Sequence, residues 1–194
     1  MSTHQARAFF PRGLVQPEGA CRFSADGLLL AAFLKPGPKD GALLDLGCGC
    51  GAAAFAALLG WGERETLGVD LDAALLAAAE ENARLLGLEG CFTTLLADLR
   101  GEEERRRIAA GAFGLVCANP PFHRPERGRL PPGEGRHGAR FDEPGLLQGF
   151  LLAARRALAP KGRFGVVFPA PRLADLLAAL REAKLEPRRL RCVH

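Results

Sequence analysis

Two stretches of this sequence carry residue types at spacings that can do chemistry. In the first, Asp45-Leu46-Gly47-Cys48-Gly49-Cys50-Gly51, an acid precedes three glycines set at every second position. Glycine tolerates a positive φ and lets a ligand lie against bare backbone, and a helix starting directly after such a turn offers unpaired N–H groups to a polar or anionic group. In the second, Asn119-Pro120-Pro121-Phe122, two prolines stiffen the backbone between an amide side chain and an aromatic ring. Asn119 Oδ1 and the Pro120 carbonyl can accept the hydrogens of a planar exocyclic amine whose ring stacks on Phe122. Such a clamp works by aligning a nitrogen lone pair with an electrophile and needs no strong general base.

Two further acids extend the first stretch. Asp70 lies at about the distance downstream where a carboxylate accepts ribose hydroxyls in nucleotide-binding α/β folds, and the competing role, capping the next helix, suits Asp72 better. Asp98 can accept from an exocyclic adenine amine or serve only as a turn carboxylate. Taken alone, Gly47, Gly49 and Ala52 also fit the G-x-G-x-x-A fingerprint, so the turn admits either a nicotinamide cofactor or S-adenosylmethionine. An oxidoreductase would leave the Pro-Pro clamp without a task, and the chain has no tyrosine and no obvious Tyr or Lys proton donor pair.

These residues need a scaffold that brings strand ends together. Apolar runs predict strands at Ala42–Leu46, Thr66–Val69, Cys91–Leu96, Gly114–Ala118 and Phe164–Phe168, with the start of a sixth at Arg189–Val193. Helical patterns separate them. One covers Leu28–Leu34, capped by Ser24 or Asp26 and stopped by Lys35-Pro36-Gly37-Pro38; another runs from Gly51 to Leu59 and ends at Gly60. A third starts from Asp72 as N-cap, repeats Leu75, Leu76, Ala79, Ala83 and Leu86 at helical spacing, and stops at Gly87. Residues Gly101 to Ala110 form a charged crossover whose Glu102–Arg107 block reads as a solvated face. Pro144 opens a helix over Gly145–Leu158 that Pro160-Lys161-Gly162 stops, and Pro171 opens another over Arg172–Ala183. This alternation predicts an α/β fold: a Rossmann-like, doubly wound, mostly parallel sheet with helices on both faces. Residues 1–20, with Pro11, Gly13, Pro17 and Gly19, read as a flexible lead-in, and residues 21–194 as one domain.

Bulk properties fit that picture. A chain of 194 residues with 48% hydrophobic content can bury one sizeable core, and a net charge of +4 permits a polyanionic partner without demanding one. The six cysteines include no C-x-x-C pair, so they read as small apolar fillers in a reducing compartment, with Cys48 and Cys50 as compact turn residues and no metal site. No apolar run is long enough for a membrane span and no signal segment opens the chain, so a cytoplasmic location is expected.

The pattern formed by Asp45 to Gly51, Asp70 and Asn119-Pro120-Pro121-Phe122 resembles the class I S-adenosylmethionine-dependent methyltransferases that modify exocyclic amines, over about residues 20–194. Phe23-Ser24-Ala25-Asp26-Gly27 and Arg136-His137-Gly138-Ala139-Arg140-Phe141-Asp142 are most similar to the bacterial tRNA adenine-N6 methyltransferases acting beside the valine tRNA anticodon. The resemblance implies that Asp45, Gly47, Cys48, Gly49 and Gly51 hold the methionine part of S-adenosyl-L-methionine. It further implies that Asp70 and Leu71 meet the ribose side, Asp98 the adenine amine, and Asn119, Pro120, Pro121 and Phe122 the target base, with Asn119 bordering the cofactor too. Many adenine-modifying members carry Tyr at the place of Phe122, and Asn-Pro-Pro-Phe-His also occurs in guanine-N2 ribosomal RNA enzymes. Guanine-N2 transfer, glutamine-N5 transfer to release factors, and a non-catalytic RNA-binding relative therefore remain alternatives. His123, Arg124, Arg127, Arg129, Arg136, His137 and Arg140 make a basic loop expected to track an RNA backbone, a tRNA first of all. Class I members usually end in a strand pair beyond strand five, of which only the first fits before His194, so the last strand is expected to be lacking.

Overall fold

The computed structural model describes residues 8–20, 23–35, 37, 40–120 and 145–193. Five strands form one sheet: β1 (Ala42–Leu46), β2 (Thr66–Asp70), β3 (Phe92–Leu96), β4 (Phe113–Ala118) and β5 (Leu158–Val166), in the order β3-β2-β1-β4-β5 with every pairing parallel. The helices are α1 (Ala25–Leu34), α2 (Ala52–Trp61), α3 (Ala73–Leu86), α4 (Glu102–Arg106), α5 (Leu146–Ala157) and α6 (Leu173–Glu182), with a 3-10 turn at Ala170–Arg172 ahead of the last. β1 lies at the centre, where the chain winds first toward β3 and then crosses to β4, which makes the doubly wound topology expected from the sequence.

The sheet is covered on both faces. Leu30 and Leu34 of α1, Phe55 and Leu58 of α2, and Ala79 and Leu86 of α3 close over one side with Leu43 and Leu115 of the sheet. Phe150, Ala153, Ala154 and Ala157 of α5 close over the other with Leu44, Leu46 and Val116, and α6 packs Leu176 and Leu180 against Leu151 of α5. A Leu or Phe side chain buried this fully contributes about 1.5–3 kcal/mol. β1 is apolar at alternate and adjacent positions because both of its faces are buried.

Helix boundaries follow their caps. Ser24 caps α1 through Oγ, accepting the Asp26 N–H at 3.3 Å, and Asp72 caps α3, accepting the Ala74 N–H at 2.8 Å. Gly87 ends α3 in the left-handed region, as its sequence position predicts. α2 differs from expectation: it continues through Gly60 to Trp61 and stops at Gly62, whose N–H donates to the Leu58 carbonyl. The charged crossover folds as the short α4, whose Arg106 pairs with Glu102 at 2.6 Å and Glu103 at 2.7 Å on an exposed face.

Of the other expectations some change, and one lies outside the described residues. Pro160-Lys161-Gly162 does not separate a helix from a strand but bulges within β5, where register moves from Phe113–Leu158 to Leu115–Arg163 and Lys161 adopts a positive φ. α5 starts at Leu146 with Gly145 at its N-cap; Pro144, expected at the first helical position, lies outside the described residues. No sixth strand forms over 189–193, because Arg189 stacks its guanidinium on the Phe33 ring at 4.0 Å and donates to the Phe33 carbonyl, which draws this segment onto α1. The described part of the lead-in is also docked: Leu14 is buried and Val15 is hydrogen-bonded to Asn82 of α3.

Candidate functional site

Parallel strands end at one edge of the sheet, so the register fixes which predicted residues become neighbours. Asp70 pairs with Leu96, Leu46 with Val69, and Leu46 with Ala118. Asp98 beyond β3, Asp70 closing β2, the glycine turn after β1 and Asn119 after β4 therefore line a single edge, on either side of the switch point where α/β sheets bind ligands.

The turn is held by its backbone. Gly47 and Cys48 both donate to the Val69 carbonyl, at 2.7 and 3.0 Å, and Gly51 donates to the Cys48 carbonyl at 2.9 Å. Gly51 has φ +87, and a Cβ there would stand 2.3 Å from the Phe55 ring, so this position needs glycine for conformation and for space. Gly49 also has a positive φ, but a Cβ there would meet no protein atom within 4 Å. Gly51 is thus a packing glycine, whereas Gly49 leaves bare backbone open at the edge. Cys48 turns inward: it is buried, and its Sγ would lie 2.8 Å from a Cβ at Gly68.

Two carboxylates bracket this turn. Asp70 Oδ2 accepts the Gly49 N–H at 2.8 Å and Oδ1 accepts the Asp72 N–H at 3.0 Å; burial raises its pKa against those two bonds. Asp45 is 1% exposed and sits under the turn, with Oδ2 accepting the Ala54 N–H in the first turn of α2 at 3.2 Å. Burial pushes the Asp45 carboxyl up to about 7, opposed by hydrogen bonds from the Cys117 thiol and the Ala54 N–H and reinforced by Asp70. Asp45 braces the turn and caps α2 from below, while Asp70 reaches the turn from its side.

The remaining expected residues divide. Leu71 is 61% exposed beside Asp70 and offers apolar surface at the edge. Asp98 is half-buried, and its carboxylate is held by Arg100 through Nε at 2.9 and 3.0 Å and Nη2 at 2.5 Å, which keeps it below the usual carboxylate range. Asn119 is half-buried and Pro120 buried at the exit of β4. Pro121, Phe122 and the basic loop from His123 to Arg140 lie outside the described residues. Among the described residues no His, Cys, Asp or Glu group is arranged to hold a metal ion, and no helix is long and apolar enough to cross a membrane. A cavity of about 700 Å³ lies at the other end of the sheet, lined by Trp61, Arg64, Gly41 and neighbours, and contains none of the predicted site residues.

Sequence reasoning missed two members of this site. Asn82, fully buried in α3, donates through Nδ2 to the Cys50 carbonyl at 3.0 Å, and its signal was a polar residue set among Ala79, Ala83 and Leu86 on the buried stripe. Cys117 reaches Asp45 only because β4 and β1 pair in register, which no local pattern encodes. The described residues fit a cofactor of the kind the resemblance implies, since Gly49 leaves open space over bare backbone at the sheet edge, its N–H is held by the Asp70 carboxylate, and the exposed Leu71 follows Asp70 directly.

Comparison with known proteins bears on the family of the chain. The methyltransferase small domain family matches residues 24–175. A tRNA1(Val) (adenine(37)-N6)-methyltransferase from Dickeya chrysanthemi (strain Ech1591) is 33% identical over 160 residues, covering 82% of this chain and 61% of the relative. A release factor glutamine methyltransferase from Bordetella pertussis (strain Tohama I / ATCC BAA-589 / NCTC 13251) is 36% identical over 124 residues, 62% of this chain and 43% of the relative. The matches therefore span 61% and 43% of the lengths of these two relatives. Among solved structures, a predicted O-methyltransferase from Agrobacterium tumefaciens superposes with a TM-score of 0.62 at 19% identity, over 79% of this chain and 66% of that one, a likeness of fold.

Proposed function

The chain belongs to the methyltransferase small domain family, and we propose that it transfers a methyl group from S-adenosyl-L-methionine to an exocyclic amine of an RNA base, N6 of adenine in a tRNA. The observation that carries this reading is the adjacency of turn and clamp. Leu46 and Ala118 are register partners, so Gly47 and Asn119 leave the sheet at neighbouring positions.

When bound, S-adenosyl-L-methionine supplies an electrophilic methyl group on a sulfonium centre. Gly49 would give it bare backbone, Asp70 a carboxylate acceptor, and Leu71 an apolar surface. Asp98 shares its carboxylate with Arg100, so accepting an adenine amine there uses a lone pair that the guanidinium leaves over. Asn119 Oδ1 and the Pro120 carbonyl would hold the target amine by its hydrogens and leave its nitrogen lone pair unengaged. The rate gain would come from this alignment, with the amine proton lost to water and no dedicated base required. Pro121 and Phe122 continue the clamp, and the basic residues between His123 and Arg140 meet phosphates.

The release factor relative supports a second reading, since a glutamine side-chain amide presents a similar planar nitrogen. The net charge of +4 and the basic loop favour RNA. Incubation with S-adenosylmethionine carrying a labelled methyl group, with tRNA and a release factor in one reaction, separates the two. The proposal expects label in the tRNA, lost with Asn119→Ala; label only in protein would overturn it.

A further inference from the structure

Asp45, Thr66 and Asn82 are the buried polar residues among those described, and Asn82 joins parts of the chain far apart in sequence. Its Oδ1 accepts the Val15 N–H at 2.7 Å, and its Nδ2 donates to the Val15 carbonyl at 3.0 Å and to the Cys50 carbonyl at 3.0 Å. The side-chain amide thus pairs with Val15 as a neighbouring strand would, while gripping the glycine turn with its other hydrogen.

The bond to Cys50 acts on the turn itself. The Cys50 carbonyl and the Gly51 N–H belong to one peptide plane, and the Gly51 N–H donates to the Cys48 carbonyl at 2.9 Å. That plane is fixed at both ends. Next to it, Leu14 is buried, Gln16 Oε1 accepts the Phe23 N–H at 3.1 Å, and Phe9, Phe10 and Phe23 pack on the same cluster as Cys50, Ala52 and Phe55. Val15 is 41% exposed, so its backbone rather than its side chain makes the attachment.

From these contacts we infer that Asn82 is a positioning residue that ties residues 14–16 and the glycine turn into one binding unit, so that cofactor binding at the turn tightens this N-terminal strap and release of the strap weakens cofactor binding. The inference rests on the reading that the turn holds S-adenosyl-L-methionine. A mere packing role would lower stability and leave the affinity of the folded protein unchanged. Loss of the tie strands buried hydrogen-bonding groups beside the turn and weakens binding about tenfold.

The test uses the full chain and S-adenosylmethionine. Calorimetry well below each melting temperature compares wild type with Asn82→Ala, which removes both attachments, with Val15→Pro, which removes only the strap donor, and with Val15→Ala as control. Hydrogen exchange of the peptide spanning residues 14–16 is followed in the wild type with and without the ligand. The expected result is about tenfold weaker binding for Asn82→Ala and Val15→Pro, wild-type binding for Val15→Ala, and slower exchange at 14–16 on ligand addition. Wild-type affinity in Val15→Pro, or unchanged exchange at 14–16 in wild type that binds, overturns the inference. Failure of the wild type to bind at all overturns instead the cofactor reading on which it stands.

Discussion

Asp70 Oδ2 accepts the Gly49 N–H at 2.8 Å, so the carboxylate that closes β2 holds the middle glycine of a turn 21 residues earlier. The side chain shapes the turn, and under the proposed function it also meets a ligand laid along it. Hydrogen bonds to charged groups are worth about 1.5–3 kcal/mol, which sets the expected loss for Asp70→Ala at about 10- to 100-fold in S-adenosylmethionine affinity. Asp70→Asn keeps an acceptor for Gly49 and falls between. Calorimetry checks this, and equal affinity in Asp70→Ala would remove Asp70 from the site.

A pH dependence follows from Asp45. Its carboxyl stays protonated in the folded chain up to about 7, whereas the unfolded value is 3.8. Between these values the folded state binds the extra proton, so the stability owed to this group falls as pH rises from about 4 to about 7 and is level outside that window. Asp45→Asn retains an acceptor for the Ala54 N–H and no longer titrates. Urea denaturation at about pH 5 and about pH 8 should therefore show the variant gaining on the wild type as pH rises. Parallel profiles would mean that Asp45 is ionised in the fold.

The two inner-turn glycines should fail differently. Gly51→Ala drives a methyl group into the Phe55 ring, which cannot move within the core, and should lower the melting temperature by several degrees or prevent folding. Gly49→Ala has open space and loses only the left-handed backbone preference, about 1–2 kcal/mol, but occupies the surface proposed to hold the ligand. Thermal melts paired with ligand titration distinguish them: Gly49→Ala should fold and bind poorly. Intact binding by folded Gly49→Ala would show that the cradle is elsewhere.

Much of this arrangement is legible in the sequence because its signals are local. Leu43, Leu44 and Leu46 mark a strand buried on both faces, Asp72 and Gly87 mark the ends of α3, and the three glycines mark a turn whose positive φ values leave few alternatives. What escaped depends on partners distant in the chain. Arg189 forgoes a strand for the ring of Phe33, and Val15 is claimed by Asn82. The direction of Asp45 escaped for a related reason, since the alternation of a central strand places it under the turn and only the β1–β4 register brings Cys117 to it.

Asn119 separates binding from transfer. Removing its side chain leaves the turn, Asp70 and Leu71 in place, so Asn119→Ala should bind S-adenosylmethionine within a few-fold of wild type while losing about 100-fold or more in methyl transfer. Single-turnover transfer rates measured beside calorimetric affinities check this. A variant that transfers normally would place the target amine elsewhere.

The proposed methylation of an adenine amine of tRNA is tested by mass spectrometry of nucleosides digested from tRNA after reaction with the purified protein and S-adenosylmethionine. The tRNA should come from cells lacking the gene, so that the target position is unmodified. Newly formed N6-methyladenosine that disappears with Asn119→Ala is the expected result. N2-methylguanosine in its place, or no methylated nucleoside at all, would contradict it.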